Sequence, residues 1–454
     1  MPQSSPPKRD VFTSKLGVVA AAAGSAVGLG NIWKFPYITG VYGGGAFLFV
    51  YLGFILAIGL PIMLSEFIVG RRSRSNVFGA FKRLAPHTPW KYVGFLGVGA
   101  AFMILAFYGV VAGWSIEYIV KSVSQGFTAQ TPQQLEGMFY QFIENPINPV
   151  IYQLLFMLIT GSIVIIGVKD GIERYAKILM PVLVLIIIVL DVRAVTLEGA
   201  GEGLRFLFHP DFSKLSSEGI LSALGHAFFS LSLGMGTLIT YGSYIDRSNN
   251  LTTTALQVTM ADTFIAVLAG IAIFPAVFAF GIEPSSGPGL VFITLPNVFL
   301  QMPGGVFFSI LFFVLLTVAA LTSSISVLEV VVAYFREELK MTRTVATIVA
   351  TVVISLIGIM CSLSMGVFKE QTLFGLNFFD LLDWISANML LPLGGLFISL
   401  FVGFFLRRKI VKDEILKGGQ ISDGLLNLFM FLVKFVAPIA IAIVFLSGIG
   451  LLSL

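Results

Sequence analysis

The residues most suited to chemistry form a glycine-rich stretch near the start of the chain, Gly24–Pro36. Gly24, Gly28 and Gly30 weaken a helix there, although the surrounding apolar run, residues 12–37, is long enough to cross a bilayer. Lipid offers no hydrogen bonds, so the backbone of a broken helix must be shielded by protein or line a cavity. Free amides suit an anion and free carbonyls suit a cation. The stretch therefore predicts a mid-membrane site for an anionic group and a small cation, with a close-packed glycine face as the alternative.

A second apolar run, residues 218–245, is interrupted in a similar way. Gly234 and Gly236 lie near its centre, and Ser230 and Ser232 supply hydroxyl groups beside them. The two interrupted runs are the first and the sixth of the chain. Because five is an odd number, two five-span halves must have opposite orientations in the membrane. Interruptions at corresponding places in two such halves are typical of an inverted-repeat transporter.

Oxygen-bearing side chains lie in two further apolar runs. Asp262 lies in the seventh run, where a carboxylate costs at least ~2.5 kcal/mol and should have a partner. No basic residue lies near it in that run, so a cation is the preferred partner; a helix end facing water and a protonated structural acid are the alternatives. Thr322 and Ser323 lie near the middle of the eighth run. Their hydroxyls predict ligands for a hard alkali cation, or else a helix packing face.

The composition indicates a polytopic membrane protein. The chain has 454 residues, of which 57% are hydrophobic and only 11% are charged, which is far outside the range of soluble domains. The single Cys361 excludes an intramolecular disulfide and a cysteine-based metal site. The three histidines, His87, His209 and His226, have no metal-ligand spacing.

We predict eleven membrane spans from the apolar runs. They cover residues 12–37, 42–70, 92–123, 150–167, 174–192, 218–245, 254–280, 306–335, 344–363, 376–405 and 424–450. With the N-terminus inside, 21 of the 28 lysines and arginines lie at the inner ends and in the inner loops. The positive-inside rule therefore predicts a cytoplasmic N-terminus and an extracellular C-terminus, in a multi-pass protein of the plasma membrane.

The spans also predict how the chain divides. We expect a cytoplasmic tail at residues 1–11, one five-helix repeat at 12–192, a second inverted repeat at 218–405 and an eleventh helix at 424–450. The outer loop at residues 281–305 carries apolar residues between proline and glycine breaks. It is expected to cap an outer vestibule, and an ordinary surface loop is the alternative.

Three motifs resemble one known family. They are Gly24–Pro36, which reads GSAVGLGNIWKFP, together with Phe229–Gly236 and Leu321–Ser324. Gly43–Phe47 and Ile293–Pro296 support them. Over nearly its whole length the chain resembles the bacterial branch of the neurotransmitter:sodium symporter family. The resemblance implies an all-α integral membrane protein, a five-plus-five inverted repeat with discontinuous helices 1 and 6, here with one further span.

The resemblance also implies two sodium sites and a substrate site. The first sodium would be bound by the Ala26 carbonyl, the Asn31 side chain, Ser230, Asp262 and the substrate carboxylate. The second would be bound by the carbonyls of Gly24, Val27 and Ala319 and by the hydroxyls of Thr322 and Ser323. The substrate would contact Ala26, the amides of Leu29 and Gly30, the Tyr108 hydroxyl, carbonyls near Phe229 and Ser232, and the side chains of Ile104, Phe229, Met235, Ser324 and Val327.

The family's gates fall on two pairs of charged residues. The outer pair is Lys34 with Asp383, and the inner pair is Arg9 with Glu337. Lys34 stands where many members have arginine. Because lysine cannot make the bidentate pair with a carboxylate, a looser outer gate is expected.

The cytoplasmic start of span 5 carries Gly171 and Pro181. Glycine weakens a helix and proline removes a hydrogen-bond donor, so this turn should unwind at modest cost. The resemblance implies that such unwinding opens an inner water path to the second sodium site. A plain junction between a loop and a helix is the alternative.

Two departures from the family pattern bear on the substrate and the ions. Gly28 stands where amine carriers have an aspartate, which leaves room for a substrate carboxylate and favours amino acids. Asp262 stands where many members have asparagine, so its carboxylate would supply the negative charge that bound chloride supplies in relatives. We therefore expect a bacterial symporter, a monomer or weak dimer, that uses two sodium ions and no chloride.

The expected function is import of neutral, mainly hydrophobic L-amino acids, aliphatic and aromatic, by alternating access. No chemistry on the substrate is expected. An ion or water channel is the second hypothesis, and it would need a continuous polar pore. A membrane-embedded enzyme is the third, but His226 with Ser230 is too small a set for a nucleophile and its base.

Overall fold

The computed structural model describes residues 10–127, 130–281, 289–416 and 422–452, and this part of the chain is almost entirely helical. It contains no β-strand, only the isolated bridges Gly44–Pro210 and Leu373–Leu376. Nine helices in these ranges are long and apolar enough to cross a membrane: Gly45–Ser73, Lys91–Val123, Asn148–Ile166, Val168–Val195, Leu251–Ala279, Gly305–Glu338, Arg343–Leu363, Phe378–Phe405 and Asp423–Gly448. They correspond in order to spans 2 to 5 and 7 to 11.

The other two predicted spans are broken helices. Span 1 consists of Lys15–Ala26 and Gly30–Val41, which meet at an angle of 48°. Span 6 consists of Ser217–Ser230 and Thr237–Gly242, with a non-helical segment between them. With these two included, the described residues contain the eleven predicted spans.

The two breaks have identifiable backbone causes. In span 1, Val27 leaves the helix with an extended backbone (φ −70°, ψ 111°). In span 6, Ser232, Gly234 and Gly236 all have positive φ, at 55°, 79° and 79°. Span 10 also passes close to this segment, because a Cβ added to Gly234 would lie 2.4 Å from the Leu391 carbonyl oxygen. The glycines therefore serve both the turn and the close approach of a neighbouring helix.

Shorter helices connect the spans. They are Val77–Leu84, Pro132–Glu144, Ala200–Phe208, the 3₁₀ turn Phe212–Lys214, Leu290–Thr294 with Leu295–Gln301, and Arg408–Leu416. Pro132–Glu144 begins with a capping box in which Thr131 and Gln134 each bond the other's backbone. In the predicted capping loop, residues 282–288 lie outside the described ranges, and the rest of it contains the short apolar helix Leu290–Gln301.

Span 5 begins earlier than the apolar run alone indicates. The predicted start was residue 174, but the helix begins at Val168 with a π-helical turn, Val168–Glu173. The side chains of this turn are largely polar, so hydropathy alone does not identify it as part of the span. Gly171 lies in the π turn, and Pro181 lies inside a continuous α-helix. The unwinding predicted for this segment is therefore not part of this conformation and stays a prediction.

The long, nearly central span 8 organises the packing. It contacts spans 1, 3, 4, 5 and 9, while span 1 also packs against spans 5 and 7. Large apolar side chains remain exposed on the outer spans, for example Leu158, Leu185 and Leu356, at 65%, 64% and 57%. Such side chains suit a lipid-facing surface. The broken spans 1 and 6 are instead largely buried in the protein.

Candidate functional site

The breaks of spans 1 and 6 and the middle of span 7 bring three predicted residues together. Asn31, Ser230 and Asp262 are all buried. The Asn31 amide nitrogen donates to Asp262 Oδ1 at 2.7 Å and to Ser230 Oγ at 3.2 Å. Ser230 Oγ donates to Asp262 at 2.9 Å and 3.0 Å. Buried charges need paired or hydrogen-bonded surroundings, and the Asn31 amide N–H and the Ser230 hydroxyl provide donors for the carboxylate.

The orientation of Asn31 differs from that of a sodium ligand. Its amide oxygen accepts a hydrogen bond from the Gly28 N–H at 3.0 Å, so the nitrogen faces Asp262. A half turn of the Asn31 side-chain amide would exchange its oxygen and its nitrogen, and the oxygen would then face a cation. Tyr51, which sequence reasoning missed, donates its hydroxyl to Ser230 at 3.3 Å. A tyrosine in an apolar span carries no distinguishing sequence signal.

A second group of oxygens joins spans 1 and 8. The Thr322 hydroxyl lies 3.4 Å from the Val27 carbonyl oxygen and 3.0 Å from the Ala319 carbonyl oxygen. Gly24 faces the same point, since a Cβ added there would lie 3.3 Å from Thr322 Cβ. Four of the five residues predicted for the second sodium site are therefore neighbours in space.

Ser323, the fifth of those residues, makes a different contact. Its hydroxyl donates to the Ser25 carbonyl oxygen at 3.1 Å, and Ser232 of span 6 donates to the same oxygen at 2.9 Å. The Ser25 hydroxyl in turn accepts from Ser326 at 2.8 Å. Ser25 and Ser326 were not predicted as site residues. They connect the broken spans to span 8 through hydroxyl groups that look, in sequence, like ordinary packing residues.

A cavity lies between the two breaks and spans 3 and 8. It is lined by Ala26, Gly28, Gly30, Ile104, Tyr108, Phe229, Ser232, Met235, Ser323 and Val327. Eight of the ten predicted substrate residues are in this set. Leu29 and Ser324 are the two that are not. Ser324 is fully buried, and within the described part of the chain its hydroxyl has no hydrogen-bond partner.

The polar end of the cavity is formed by span 1 and Tyr108. The Leu29 N–H and the Tyr108 hydroxyl, both predicted to meet the substrate carboxylate, are 2.9 Å apart. Gly28 allows a close approach here, because a Cβ at this position would lie only 2.6 Å from the Tyr108 oxygen and the tyrosine would have to shift to admit it. The remaining walls are mainly apolar.

A buried glutamate supports the break of span 6. Glu66 of span 2 is fully buried, and its Oε1 accepts from the Gly234 N–H at 2.8 Å. An unpaired amide in the membrane is costly, so this carboxyl group stabilises the non-helical segment. Sequence reasoning did not select Glu66, although an acidic residue within an apolar span is a recognisable signal.

The structure describes both residues of the predicted outer gate and one residue of the inner gate. Within the described residues, Lys34 and Asp383 form no ion pair, and the Lys34 ammonium lies 4.6 Å from the centroid of the Phe229 ring. Arg9, predicted for the inner gate, lies outside the described residues. Glu337 accepts from the backbone and side chain of Asn76 at 2.9 Å and 3.0 Å.

The start of the described chain is bound to the ends of three spans. Asp10 pairs with Arg336 of span 8 at 3.0 Å, and Thr13 donates to Glu173 of span 5 through its backbone and hydroxyl, both at 2.8 Å. Phe12 packs edge-on against Tyr244 after span 6, with ring centroids 5.9 Å apart. These contacts join the residues before span 1 to spans 5, 6 and 8 at one end of the bundle.

Comparisons with known proteins agree with this arrangement. The sequence profile of the sodium:neurotransmitter symporter family matches residues 9–136 and 138–453. An uncharacterized sodium-dependent transporter of Bacillus subtilis, YhdH, is 42% identical over 97% of this chain and 98% of its own length. A sodium-dependent transporter of Haemophilus influenzae is 40% identical over the same shares of each chain.

A solved structure is similar throughout. The crystal structure of MhsT in complex with L-phenylalanine superposes with a TM-score of 0.91, at 49% identity, over 97% of this chain and 100% of that one. The predicted fold class, with discontinuous helices 1 and 6, is confirmed by this likeness. The relatives are transporters, so the expectation of a protein that is not an enzyme is confirmed as well. The chain belongs to the sodium:neurotransmitter symporter family and is a sodium-dependent membrane transporter.

Proposed function

We propose that this protein imports neutral, mainly hydrophobic L-amino acids together with sodium, by alternating access. The observation that carries the proposal is the cavity between the breaks of spans 1 and 6. Tyr108 lines one end of it, and the Leu29 N–H donates to the Tyr108 hydroxyl just behind; these two donors suit a carboxylate that would take the place of their mutual contact. The non-helical segment after Ser230 has backbone carbonyls, which suit an ammonium group.

The apolar walls set the expected side chain of the substrate. Ile104, Phe229 and Val327 are apolar and surround the cavity, and Met235 can adapt its shape to side chains of different size. A charged side chain in these surroundings would be buried without a partner, at a high free-energy cost. Binding of L-phenylalanine by MhsT, which is 49% identical, supports an amino acid of this class.

Two sodium ions are proposed to accompany the substrate. The first would lie among Ala26, Asn31, Ser230 and Asp262, and the second among Gly24, Val27, Ala319, Thr322 and Ser323. The grouping of Thr322 with the Val27 and Ala319 carbonyls supports the second site. Ser323 would have to turn from the Ser25 carbonyl to become a ligand.

Chloride independence is part of the proposal. A zwitterionic substrate is neutral overall, so two sodium ions leave excess positive charge in a desolvated cavity, and a fixed anion offsets it. Asp262 is fully buried and bonded to Asn31 and Ser230, where its charge lies beside the proposed first sodium. No separate anion is then needed.

The membrane arrangement completes the proposal. The distribution of basic residues supports a cytoplasmic N-terminus and an extracellular C-terminus in the plasma membrane. The two repeats would be residues 12–192 and 218–405, and they would move relative to each other. Lys34 with Asp383 and Arg9 with Glu337 would form the outer and inner gates, and unwinding between Gly171 and Pro181 would release the second sodium.

Competition binding tests the substrate class. Purified protein in sodium buffer should bind labelled L-leucine, and unlabelled phenylalanine, isoleucine and methionine should compete at similar concentrations. Glutamate and lysine should compete at least ~100-fold more weakly, because an unpaired buried charge costs several kcal/mol. Competition by glutamate or lysine as strong as that by leucine would overturn the proposed substrate class.

A further inference from the structure

A lysine lies near the middle of the last membrane span. Lys434 follows the first residue of the helix Asp423–Gly448 by eleven positions, about 16 Å along the helix axis. Apart from Asp423, it is the only charged residue of that helix. A charged group at such depth is costly in hydrocarbon and requires a partner. Span 11 lies outside the two repeats, so the proposed transport cycle gives this lysine no role.

No carboxylate within the described ranges is paired with Lys434. Its stem packs on Gly403 of span 10, where an added Cβ would lie 3.0 Å from Lys434 Cγ. Its ammonium lies 5.5 Å from the centroid of the Phe404 ring, and the side chain is partly exposed. The aromatic ring attracts the cation but does not neutralise it.

The surface around this ammonium is aromatic and faces outward. Phe404, Phe431 and Phe435 are 58%, 54% and 49% exposed. The Phe435 ring lies 6.2 Å from Phe404 and 5.7 Å from Phe431, so the three rings form one cluster across spans 10 and 11. On a membrane helix such a cluster offers a surface for acyl chains.

Basic residues lie at the same end of span 10. Arg407, Arg408 and Lys409 follow its last residue, Phe405, and all three are exposed. Arg408 donates to Asn427 of span 11, which precedes Lys434 by seven residues, about 10 Å along the helix. The apolar stem of a lysine can pack along the helix surface and extend toward the end of the span, where its ammonium reaches polar groups.

The acidic residues nearby leave this positive charge largely unbalanced. Asp423 pairs with Lys412 at 2.9 Å, and Glu414 is bound to the buried Arg71 at 2.8 Å. Asp413 is the one acid between residues 407 and 416 that forms no ion pair with the described residues. The four positive charges of Lys434 and the three exposed basic residues thus face only the one remaining negative charge of Asp413.

We propose that the crevice between spans 10 and 11 binds an anionic phospholipid. Its phosphate would lie between Lys434 and the basic residues Arg407 and Arg408, and an acyl chain would cover the cluster of Phe404, Phe431 and Phe435. A lipid phosphate would supply the counter-charge that the Lys434 ammonium lacks within the described part of the chain. Basic pockets between membrane helices are known to suit anionic head groups. The positive-inside orientation assigns this lipid to the cytoplasmic leaflet.

Thermal unfolding of the full chain in detergent tests the proposal. The protein is titrated with phosphatidylglycerol or with phosphatidylcholine of the same acyl chains, and native mass spectrometry counts the bound lipids. We expect phosphatidylglycerol to raise the unfolding temperature more and to remain bound as one tight equivalent. Lys434→Met should weaken this binding about fivefold or more, which corresponds to the ~1 kcal/mol that one basic side chain contributes. Lys434→Arg should retain it.

Lys169→Met is the matched control. Lys169 is another lysine on a membrane span, exposed in the π turn Val168–Glu173 that begins span 5, and span 5 packs against spans 1, 7 and 8. This variant should leave the lipid affinity unchanged. If Lys434→Met does not fold, Arg408→Gln replaces it and should weaken the same single equivalent.

Four outcomes overturn the proposal. One is an equal effect of the two lipids on the wild type. Another is unchanged phosphatidylglycerol binding in Lys434→Met. The third is an equal loss in Lys169→Met, which would indicate general surface charge. The fourth is a dimer that forms without bound lipid and is lost in Lys434→Met, because the surface between spans 10 and 11 would then bind a second copy. Sodium-driven uptake is not the readout, so failure here leaves the proposed function standing.

Discussion

At the scale of residues, the site depends on a few oxygen atoms held in place by a broken backbone. Asp262 is bonded to Asn31 and Ser230, and Thr322 faces the carbonyls of Val27 and Ala319. Each group is buried, so each must be satisfied by a hydrogen bond or by a cation. This is why the substitution of single oxygen-bearing side chains should change ion binding more than folding.

Replacement of Thr322 by valine tests the second sodium site. Thr322→Val keeps the shape of the side chain and removes the hydroxyl, so the sodium concentration for half-maximal uptake should rise about tenfold or more. Thr317→Val is the control, because Thr317 lies on the same helix but its hydroxyl bonds Ser115 and the Phe313 carbonyl. An unchanged sodium response in Thr322→Val would show that this site is misassigned.

Replacement of Asp262 by asparagine tests the role of its charge. Wild-type uptake should be the same in chloride and in gluconate, whereas Asp262→Asn should bind sodium about tenfold more weakly and recover partly when chloride is added. Asp191→Asn, which alters another buried carboxyl group within a span, should show no response to chloride. Collapse of wild-type uptake in gluconate would mean that a separate anion is needed.

At the scale of elements, the breaks of spans 1 and 6 are what the sequence predicts best. Glycines inside an apolar run are an unusual signal, so Gly24–Pro36 and Gly234–Gly236 could be located without a structure. The ten substrate residues came instead from the family resemblance, and eight of them line one cavity. Ser25, Tyr51 and Ser326 were missed because their roles arise from contacts between spans far apart in sequence.

The ends of elements were harder to predict than their existence. The π turn at Val168–Glu173 extends span 5 through polar residues, and hydropathy does not detect it. Pro132–Glu144 lies in a segment rich in prolines, but Pro132 stands in the first turn of the helix, where proline is tolerated. Conversely, Gly171 and Pro181 indicate a helix that unwinds easily, but in this conformation the segment between them is helical.

Replacement of Pro181 tests whether span 5 unwinds during transport. Pro181→Ala should stabilise the helix, since proline in a helix interior costs ~3 kcal/mol. Uptake should slow several-fold, while equilibrium binding of substrate in sodium changes less than about twofold. Pro275→Ala, which changes a proline inside span 7, is the control. Uptake at the wild-type rate in Pro181→Ala would contradict the proposed unwinding.

At the scale of the whole molecule, the proposed function is a linkage between binding sites. Spans 1, 6 and 8 carry residues of both the proposed sodium sites and the cavity, so one arrangement of these helices would serve both. The contacts of Asp10 with Arg336 and of Thr13 with Glu173 join the start of the chain to spans 8 and 5. A ligand that prefers one conformation shifts the whole bundle toward it.

Such a linkage must be reciprocal. If sodium raises the affinity for L-phenylalanine by some factor, then L-phenylalanine must raise the affinity for sodium by the same factor. We expect this factor to be at least ~10, and titration calorimetry in sodium and in potassium measures both arms. Equal affinity for phenylalanine in sodium and in potassium, which means a factor of one in both arms, would exclude coupled sites.

Uptake into proteoliposomes tests the central claim most directly. Purified protein is reconstituted, loaded with potassium buffer and diluted into sodium buffer that contains labelled L-leucine. The account predicts that leucine accumulates inside above its outside concentration, and that it leaves again when an ionophore dissipates the sodium gradient. Uptake that only equalises the two concentrations, or that proceeds equally in potassium on both sides, would contradict sodium-coupled transport.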